Sequence, residues 1–355
     1  TPTVTYTFSM QQEITAPCLL LDQAGHLTKE GWARHPYWEY RRGDIHAGPL
    51  RIKEWDYYMV YSHRGRFGLS VTISDLDYLG LGALCFFDFE KAYYHQIDEM
   101  KILPMGKLGL PADSDTEAVI QWESKKLSLT YSKNKGQRRI SFSCPELVDA
   151  AGNRGIDGTI LLEQPDRLES TVIATSWKEN RRAFYYNRKI NCMRSSGSFT
   201  IGRKTYQFDP QADMGSLDWG RGVWTYKNTW YWASLSVLHG QTPLGLNLGY
   251  GFSDRSPASE NTILYDGRIH KLEEVTFHFN PEHHLGPWHF TSSDKRLELT
   301  LHPILDRQSA FDLKILKSFQ HQVFGSVSGW LILDTGQKIE LENEIMMTEH
   351  VVNHW

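Results

Sequence analysis

Residues 213–252 read DMGSLDWGRGVWTYKNTWYWASLSVLHGQTPLGLNLGYGF. Near the end of this stretch Leu244, Leu246 and Leu248 alternate with Gly245, Asn247 and Gly249. Successive side chains of a strand point to opposite faces, so the leucines share one face and the glycines and Asn247 the other. The leucine face requires a core. The opposite face carries almost no bulk around a single amide. Glycine inside a strand marks either close approach of a ligand or backbone, or a bend at a barrel corner. A cavity wall and a bare corner are both open readings. Upstream, residues 222–238 form a strand-like run crowded with Trp and Tyr, joined to the leucine strand by a turn at His239, Gly240 and Gln241. A polar segment rich in Asp and Gly precedes that run and reads as a turn.

The same period of two recurs along the chain. Residues 51–62, RIKEWDYYMVYS, place Lys53, Trp55, Tyr57 and Met59 on one face and Glu54, Asp56, Tyr58 and Val60 on the other. Two carboxylates on one face are ordinary in solvent, the reading preferred here. Inside a barrel they would need partners, which makes Asp56 a candidate ligand contact. Further short strands are expected at 67–74, 79–87, 117–123, 126–131, 137–143, 158–163, 169–176 and 182–189, with a hairpin over 195–208. Beyond the central stretch they continue at 262–265, 272–279, 288–291, 296–302, 311–316, 323–333 and 338–344. Asp266-Gly267 and Asp334-Thr335-Gly336 supply hairpin turns. Many short strands with few helical patterns predict an all-β protein of two consecutive antiparallel β-barrels or sandwiches with few short helices. A length of 355 residues exceeds one typical domain. The charged run 178–182 suggests the division: an N-terminal β-barrel domain over 1–180 and a C-terminal one over 181–355 that carries the Asp/Trp/Arg-rich motif.

Composition excludes several functions. The formal net charge is −4, so no basic excess exists to neutralise phosphates, and nucleic acid is not an expected partner. The most apolar run, 79–89, is interrupted by glycines and too short to span a bilayer. Residues 1–12 lack the basic start and apolar core of a signal peptide, and a cytoplasmic location is expected. Cys18, Cys85, Cys144 and Cys192 are far apart, which fits reduced core thiols rather than a zinc knuckle or redox pair. Gly249-Tyr250-Gly251 starts a dinucleotide fingerprint, but Asp254 stands where the last glycine belongs. His283-His284 reads as a solvated loop pair. His350 and His354 lack an assignable third ligand, so neither a metal nor a cofactor is expected.

The candidate site gathers Asp213, Asp218, Trp219, Arg221, Asn247, Glu260 and Asn261. Asp218 and Arg221 flank Gly220 and could pair across a tight turn, leaving Arg221 to clamp an anion or stabilise developing negative charge. The alternative is a pair of turn-forming aspartates, Asp213 and Asp218, with Arg221 as their surface partner. Trp219, Trp224, Trp230 and Trp232 would desolvate the group, and a carboxyl in such surroundings can keep its proton and donate it. Asp218 or Glu260 would be that acid.

Several runs, taken as a set, resemble the bacterial family called domain of unknown function 2804. They are GWAR at 31–34, KEWDYY at 53–58, DWGRGVW at 218–224, NLGYGF at 247–252, EN at 260–261 and FGSVSG at 324–329. More distantly, such proteins are similar to the superfamily of carotenoid hydratases and tocopherol cyclase. That resemblance implies two consecutive lipocalin-like barrels, a pocket in or between them, and acid-promoted addition or cyclisation at an alkene. It transfers no catalytic residue. Three readings follow. The first is a hydratase, cyclase or lyase in which Asp218 or Glu260 protonates a small organic substrate, Arg221 and Asn247 orient it, and Asp213, Trp219, Trp224, Trp232, Asn261 and Asp56 line the pocket. The second is a non-catalytic carrier of a lipid or other small molecule. The third is a carbohydrate-active enzyme. The partner in each is a small-molecule ligand, and the oligomeric state is open.

Overall fold

The computed structural model describes residues 11–48, 50–312 and 317–354. The signal-peptide reading of residues 1–10 and the end of the strand expected over 311–316 lie outside the described residues. Among them, the chain is all β except for one 3-10 turn at Arg42–Asp44. Two large antiparallel sheets of 13 and 9 strands carry the fold.

The first sheet runs in space through Tyr93–Ile102, Leu79–Asp88, Phe67–Asp75, Ile52–Ser62, Met214–Val223, Asn180–Ile201, Arg154–Glu163, Gln137–Val148, Ser128–Asn134 and Val119–Glu123. It curls until Tyr93 and His95 reach the far side, where Tyr93 Oη donates to Val148 O and His95 Nδ1 accepts from Val148 N. The second runs Arg268–Lys271, Thr262–Tyr265, Thr242–Tyr250, Lys227–His239, Lys338–His354, Lys317–Ile332, Leu297–Asp312, Trp288–Ser292 and Val275–His278. Tyr250 Oη accepts from Phe277 N across that curl. Each sheet wraps its own apolar core, and a third cluster lies between them.

Strand alternation generates all three clusters. In Ile52–Ser62, Tyr58 and Val60 enter the first core, while Met59 and Tyr61 face the second barrel. In Lys227–His239, Ala233, Leu235 and Val237 enter the second core, while Trp232 faces the first barrel. Phe87 and Phe324 meet across the seam with ring centroids 4.5 Å apart. Strands apolar on both faces are what a sheet sandwiched between a core and a seam requires.

Three expectations are corrected. Within 178–182, Lys178 and Glu179 form the hairpin turn joining Thr171–Trp177 to Asn180–Ile201, with Trp177 paired to Asn180, so the sheet does not change there. The change falls at 224–226, after Met214–Val223 has inserted between Ile52–Ser62 and Asn180–Ile201. The run expected as one strand over 222–238 is therefore broken and shared between the two sheets. The Asp/Gly segment before it is a strand, not a turn. Gly220 is needed there because a Cβ would stand 2.0 Å from the Trp55 ring. Tyr93–Ile102, an edge strand with little apolar alternation, was not foreseen.

A bulge pins the barrels together. Pairing of Asn180–Ile201 with Met214–Val223 slips between Ile190 and Met193, and Cys192 adopts φ of 60°. The extra residues push towards the second sheet. Asn191 Nδ2 donates to Ser234 Oγ (2.9 Å) and Leu235 O (3.1 Å), and Cys192 N donates to Ser236 Oγ (3.1 Å). Gly245 admits the bulge, since a Cβ there would lie 2.8 Å from Asn191 Cβ. Replacing Asn191 by Ala strands buried acceptors and should cost about 1–3 kcal/mol. A lower urea midpoint at unchanged m-value is the expected reading.

Candidate functional site

At one end of the seam the two sheets part around a cavity of about 280 Å³. Its aromatic wall centres on Trp224. The Trp224 ring meets Trp55 edge-on (6.1 Å), Tyr185 at 88° (5.5 Å), Trp230 at 68° (5.3 Å) and Phe252 (5.7 Å). Trp232 and Lys189 close another side, with Lys189 Nζ 3.9 Å above the Trp232 ring. Charged and polar groups reach the cavity at a few points only, the pattern of a small-molecule site.

Glu260 is one of them. It lies 2 % exposed, and its Oε2 accepts from Tyr185 Oη at 3.1 Å. Gly249 makes room for it, since a Cβ on that residue would stand 1.9 Å from Glu260 Oε1. Burial raises the Glu260 carboxyl above the ordinary glutamate value, and the Asp218 charge adds to the rise against the opposing pull of Lys189. The Tyr185 phenol is pushed up by burial and by Glu260, so it stays a donor. Glu349 is the second buried carboxyl on the cavity. Its Oε1 accepts from Gln322 Nε2 (2.6 Å) and its Oε2 from Trp230 Nε1 (3.3 Å). Burial raises it as well.

Asp218 has different surroundings. Its Oδ1 accepts from Asn187 Nδ2 at 2.6 Å and pairs with Lys189 Nζ at 2.8 Å. One oxygen thus meets an amide donor and a cation, an ion pair closed by a hydrogen bond. Asp218 is the ion-pair partner of Lys189.

Of the residues expected at the site, Asp218, Glu260, Trp224 and Trp232 line the cavity. Asn247 and Asn261 lie behind the wall and position it. Asn247 Oδ1 accepts from Trp232 Nε1 (2.7 Å), and its Nδ2 donates to Glu260 O (2.8 Å). Asn261 Oδ1 accepts from Gly249 N (2.8 Å), and its Nδ2 donates to Glu273 O (3.0 Å). The open question about the glycine face is thus answered twice: Gly249 admits a side chain of the cavity wall, and Gly245 admits the Asn191 and Cys192 side chains of the bulge.

Arg221, Trp219, Asp56 and Asp213 lie elsewhere. Residues 218 and 221 are three apart on a strand, so their side chains take opposite faces and the expected pair does not form. Arg221 enters the first barrel. There its Nη2 donates to Asp56 Oδ1 (3.0 Å) and Pro111 O (2.8 Å), its Nη1 donates to Trp55 O (2.9 Å), and its guanidinium lies 4.1 Å over Trp219. Asp56 and Glu54 are buried on that same inner face, not solvated. Burial outweighs Arg221 and raises Asp56 above the usual aspartate value. Asp213 closes a turn, its Oδ2 accepting from Asp209 N at 2.9 Å.

Sequence reasoning missed Lys189, Tyr185 and Glu349. A signal existed for the first two: Tyr185, Asn187 and Lys189 alternate along one strand face, an aromatic, an amide and a cation in a stripe. Glu349 had none, because its neighbours across the sheet, Gln322 and Trp232, are distant in sequence.

Solved structures similar in fold span nearly the whole chain. A Nitrosomonas europaea protein carrying the name AttH is 11% identical, with a TM-score of 0.50, covering 88% of this chain and 94% of its own. CghA with Sch210972 is 11% identical (TM-score 0.47; 85% and 88% covered). Kievitone hydratase from Nectria haematococca is 10% identical (TM-score 0.46; 89% and 93% covered). At such identity the likeness to the Nitrosomonas europaea structure concerns the lipocalin-like all-β fold alone. No curated protein matches the sequence. The family model for domain of unknown function DUF2804 matches residues 11–355, and the chain belongs to that family.

Proposed function

We propose that this protein is a small-molecule enzyme of hydratase, cyclase or lyase type, working in the cavity between its barrels, with Glu260 as the general acid. The observation that carries this reading is the pairing of opposite environments within one cavity. Burial raises Glu260, while Asp218 is ion-paired with Lys189 and bonded to Asn187. A buried carboxyl with a raised pKa suits a proton donor, and an ion-paired one suits a counter-ion.

The substrate is a compact, largely apolar molecule with one polar end. Trp55, Trp224, Trp230 and Phe252 cover its apolar part. Lys189 Nζ, fixed by Asp218 over Trp232, takes an oxygen of the polar end and stabilises negative charge that develops there. Glu260 gives its proton to one carbon of the unsaturated bond, water or an internal hydroxyl adds to the other carbon, and the proton that this nucleophile sheds returns to the Glu260 carboxylate. The aromatic wall excludes bulk water and faces any positive charge on the way. Arg221 and Asn247, expected to orient substrate, act at a distance: one inside the first barrel, the other through Trp232 and the Glu260 backbone.

Native mass spectrometry of the purified protein, with solvent-extracted ligand identified beside it, tests the reading. A co-purifying unsaturated or cyclic molecule with one oxygenated end is expected, together with its conversion on renewed addition to the protein. Tight binding with no conversion over hours would assign the cavity to a carrier instead.

A further inference from the structure

The cavity-lining side chains of the second barrel have immediate neighbours that the proposed chemistry does not use. Arg307, Gln322 and Glu349 form one cross-strand row towards the cavity. Asp306, His321 and His350 are the adjacent residues on the same three strands, so alternation turns them to the opposite face, at the end of the second barrel's interior. His321 and His350 are direct cross-strand partners. Asp306 stands on the strand beside His321, and His321 Nδ1 lies 2.8 Å from Asp306 Oδ2. The loop between Val275–His278 and Trp288–Ser292 lowers His284 onto this group. The His284 ring stacks on His321 at 3.6 Å and 2°, and its Nε2 lies 3.0 Å from His350 Nδ1. His284 is fixed from behind, where Trp288 Nε1 donates to its carbonyl at 2.9 Å. One ligand atom each from His284, Asp306 and His321 falls within 4.8 Å of the others.

We propose that His284, His321 and His350, with Asp306, form a binding site for one divalent transition-metal cation of zinc-like softness. Three imidazoles and one carboxylate are the donor set of such ions, whereas magnesium and calcium take oxygen ligands. A second observation is independent of the histidines. The Asp306 side chain is 5% exposed, yet its Oδ1 has no hydrogen-bond partner among the described residues. A buried carboxylate oxygen without a partner is costly, and a cation meets that need. The histidine His321 keeps 29% side-chain exposure, which leaves a route in from solvent. As the rings stand, His284 and His321 lie parallel, so their lone pairs do not converge. Binding turns one ring out of the stack. The loop carrying His284 accommodates that turn more readily than paired strands do. The sequence alone read His283-His284 as a solvated loop pair and left His350 and His354 without a third ligand. Strand pairing sets His321 beside His350, and the loop brings His284 to both.

The test uses tag-free full-length protein, stripped with a chelator and titrated with zinc by calorimetry, then with cobalt(II) by visible absorption. One equivalent of zinc and tetrahedral cobalt bands are expected. His321→Ala and His350→Ala should each abolish the bands, and Asp306→Asn should weaken zinc about 10–100-fold. His289→Ala, a change at an exposed histidine outside the cluster, should leave binding unaltered. Circular dichroism and melting curves show which variants remain folded, and His321→Gln replaces His321→Ala if the latter does not. Absence of stoichiometric binding, or equal binding by a folded His321 variant, overturns the proposal. Neither result depends on the activity of the cavity.

Discussion

Glu260→Gln removes the proton donor and keeps the shape of its side chain, so turnover should fall about 10²–10⁴-fold, the range for loss of a general acid. The two barrels should remain folded. The stability effect has a definite sign. Folding raises the Glu260 carboxyl above its ordinary value, chiefly by burial. Its neutral form is therefore favoured in the native state at low pH, and native stability is lost as pH rises from the unfolded value through the raised one. Glutamine does not titrate. The variant should match the wild type in acid and exceed it in melting temperature above the raised value. Activity of the wild type should decline over the same window as Glu260 ionises. The two readouts separate chemistry from architecture: an inactive protein of raised neutral-pH stability is expected. An active Glu260→Gln variant would remove Glu260 from the mechanism, and a merely unfolded one would show itself in the melt.

Arg221→Ala should do the reverse. Arg221 is wholly buried in the first barrel, bound to Asp56, to two backbone carbonyls of neighbouring segments, and to the Trp219 face. Removing one partner of a buried ion pair leaves an uncompensated charge and costs about 3–5 kcal/mol. The urea midpoint should drop accordingly, while the folded fraction keeps its kcat, because Arg221 does not reach the cavity. A change of less than about 0.5 kcal/mol is the range of an ordinary surface position and would return Arg221 to the solvent-facing role. A selective loss of kcat at unchanged stability would restore it to the site.

The contrast between these residues shows what could be read in the sequence. The period of two and the turn signals foretold an all-β protein, because alternation and turn chemistry are local properties of the chain. The asymmetric strand 244–249 identified a packed leucine face and a face that something must approach. Glu260, Asp218, Trp224 and Trp232 were legible as a polar and aromatic set near it. The grouping of Asp218 with Arg221 failed on a single local misreading: DWGRG was taken for a turn because of its glycines. Those glycines serve instead the close packing of Trp55 and the Phe184 carbonyl against a strand. Once the segment is a strand, parity alone sends the two charges to different compartments.

The sequence by itself determined the strands, most of their turns and the existence of two barrels' worth of apolar faces. These depend on spacings of a few residues, where propensity and alternation act. Tertiary structure alone decided which strands became neighbours, and hence what each outward face meets. It carried Met214–Val223 back into the first sheet, brought Glu349 and Lys189 to the same cavity, and collected three histidines and Asp306 on the opposite face of the second sheet. Those meetings rest on pairings between segments distant in the chain, and no local pattern encodes them.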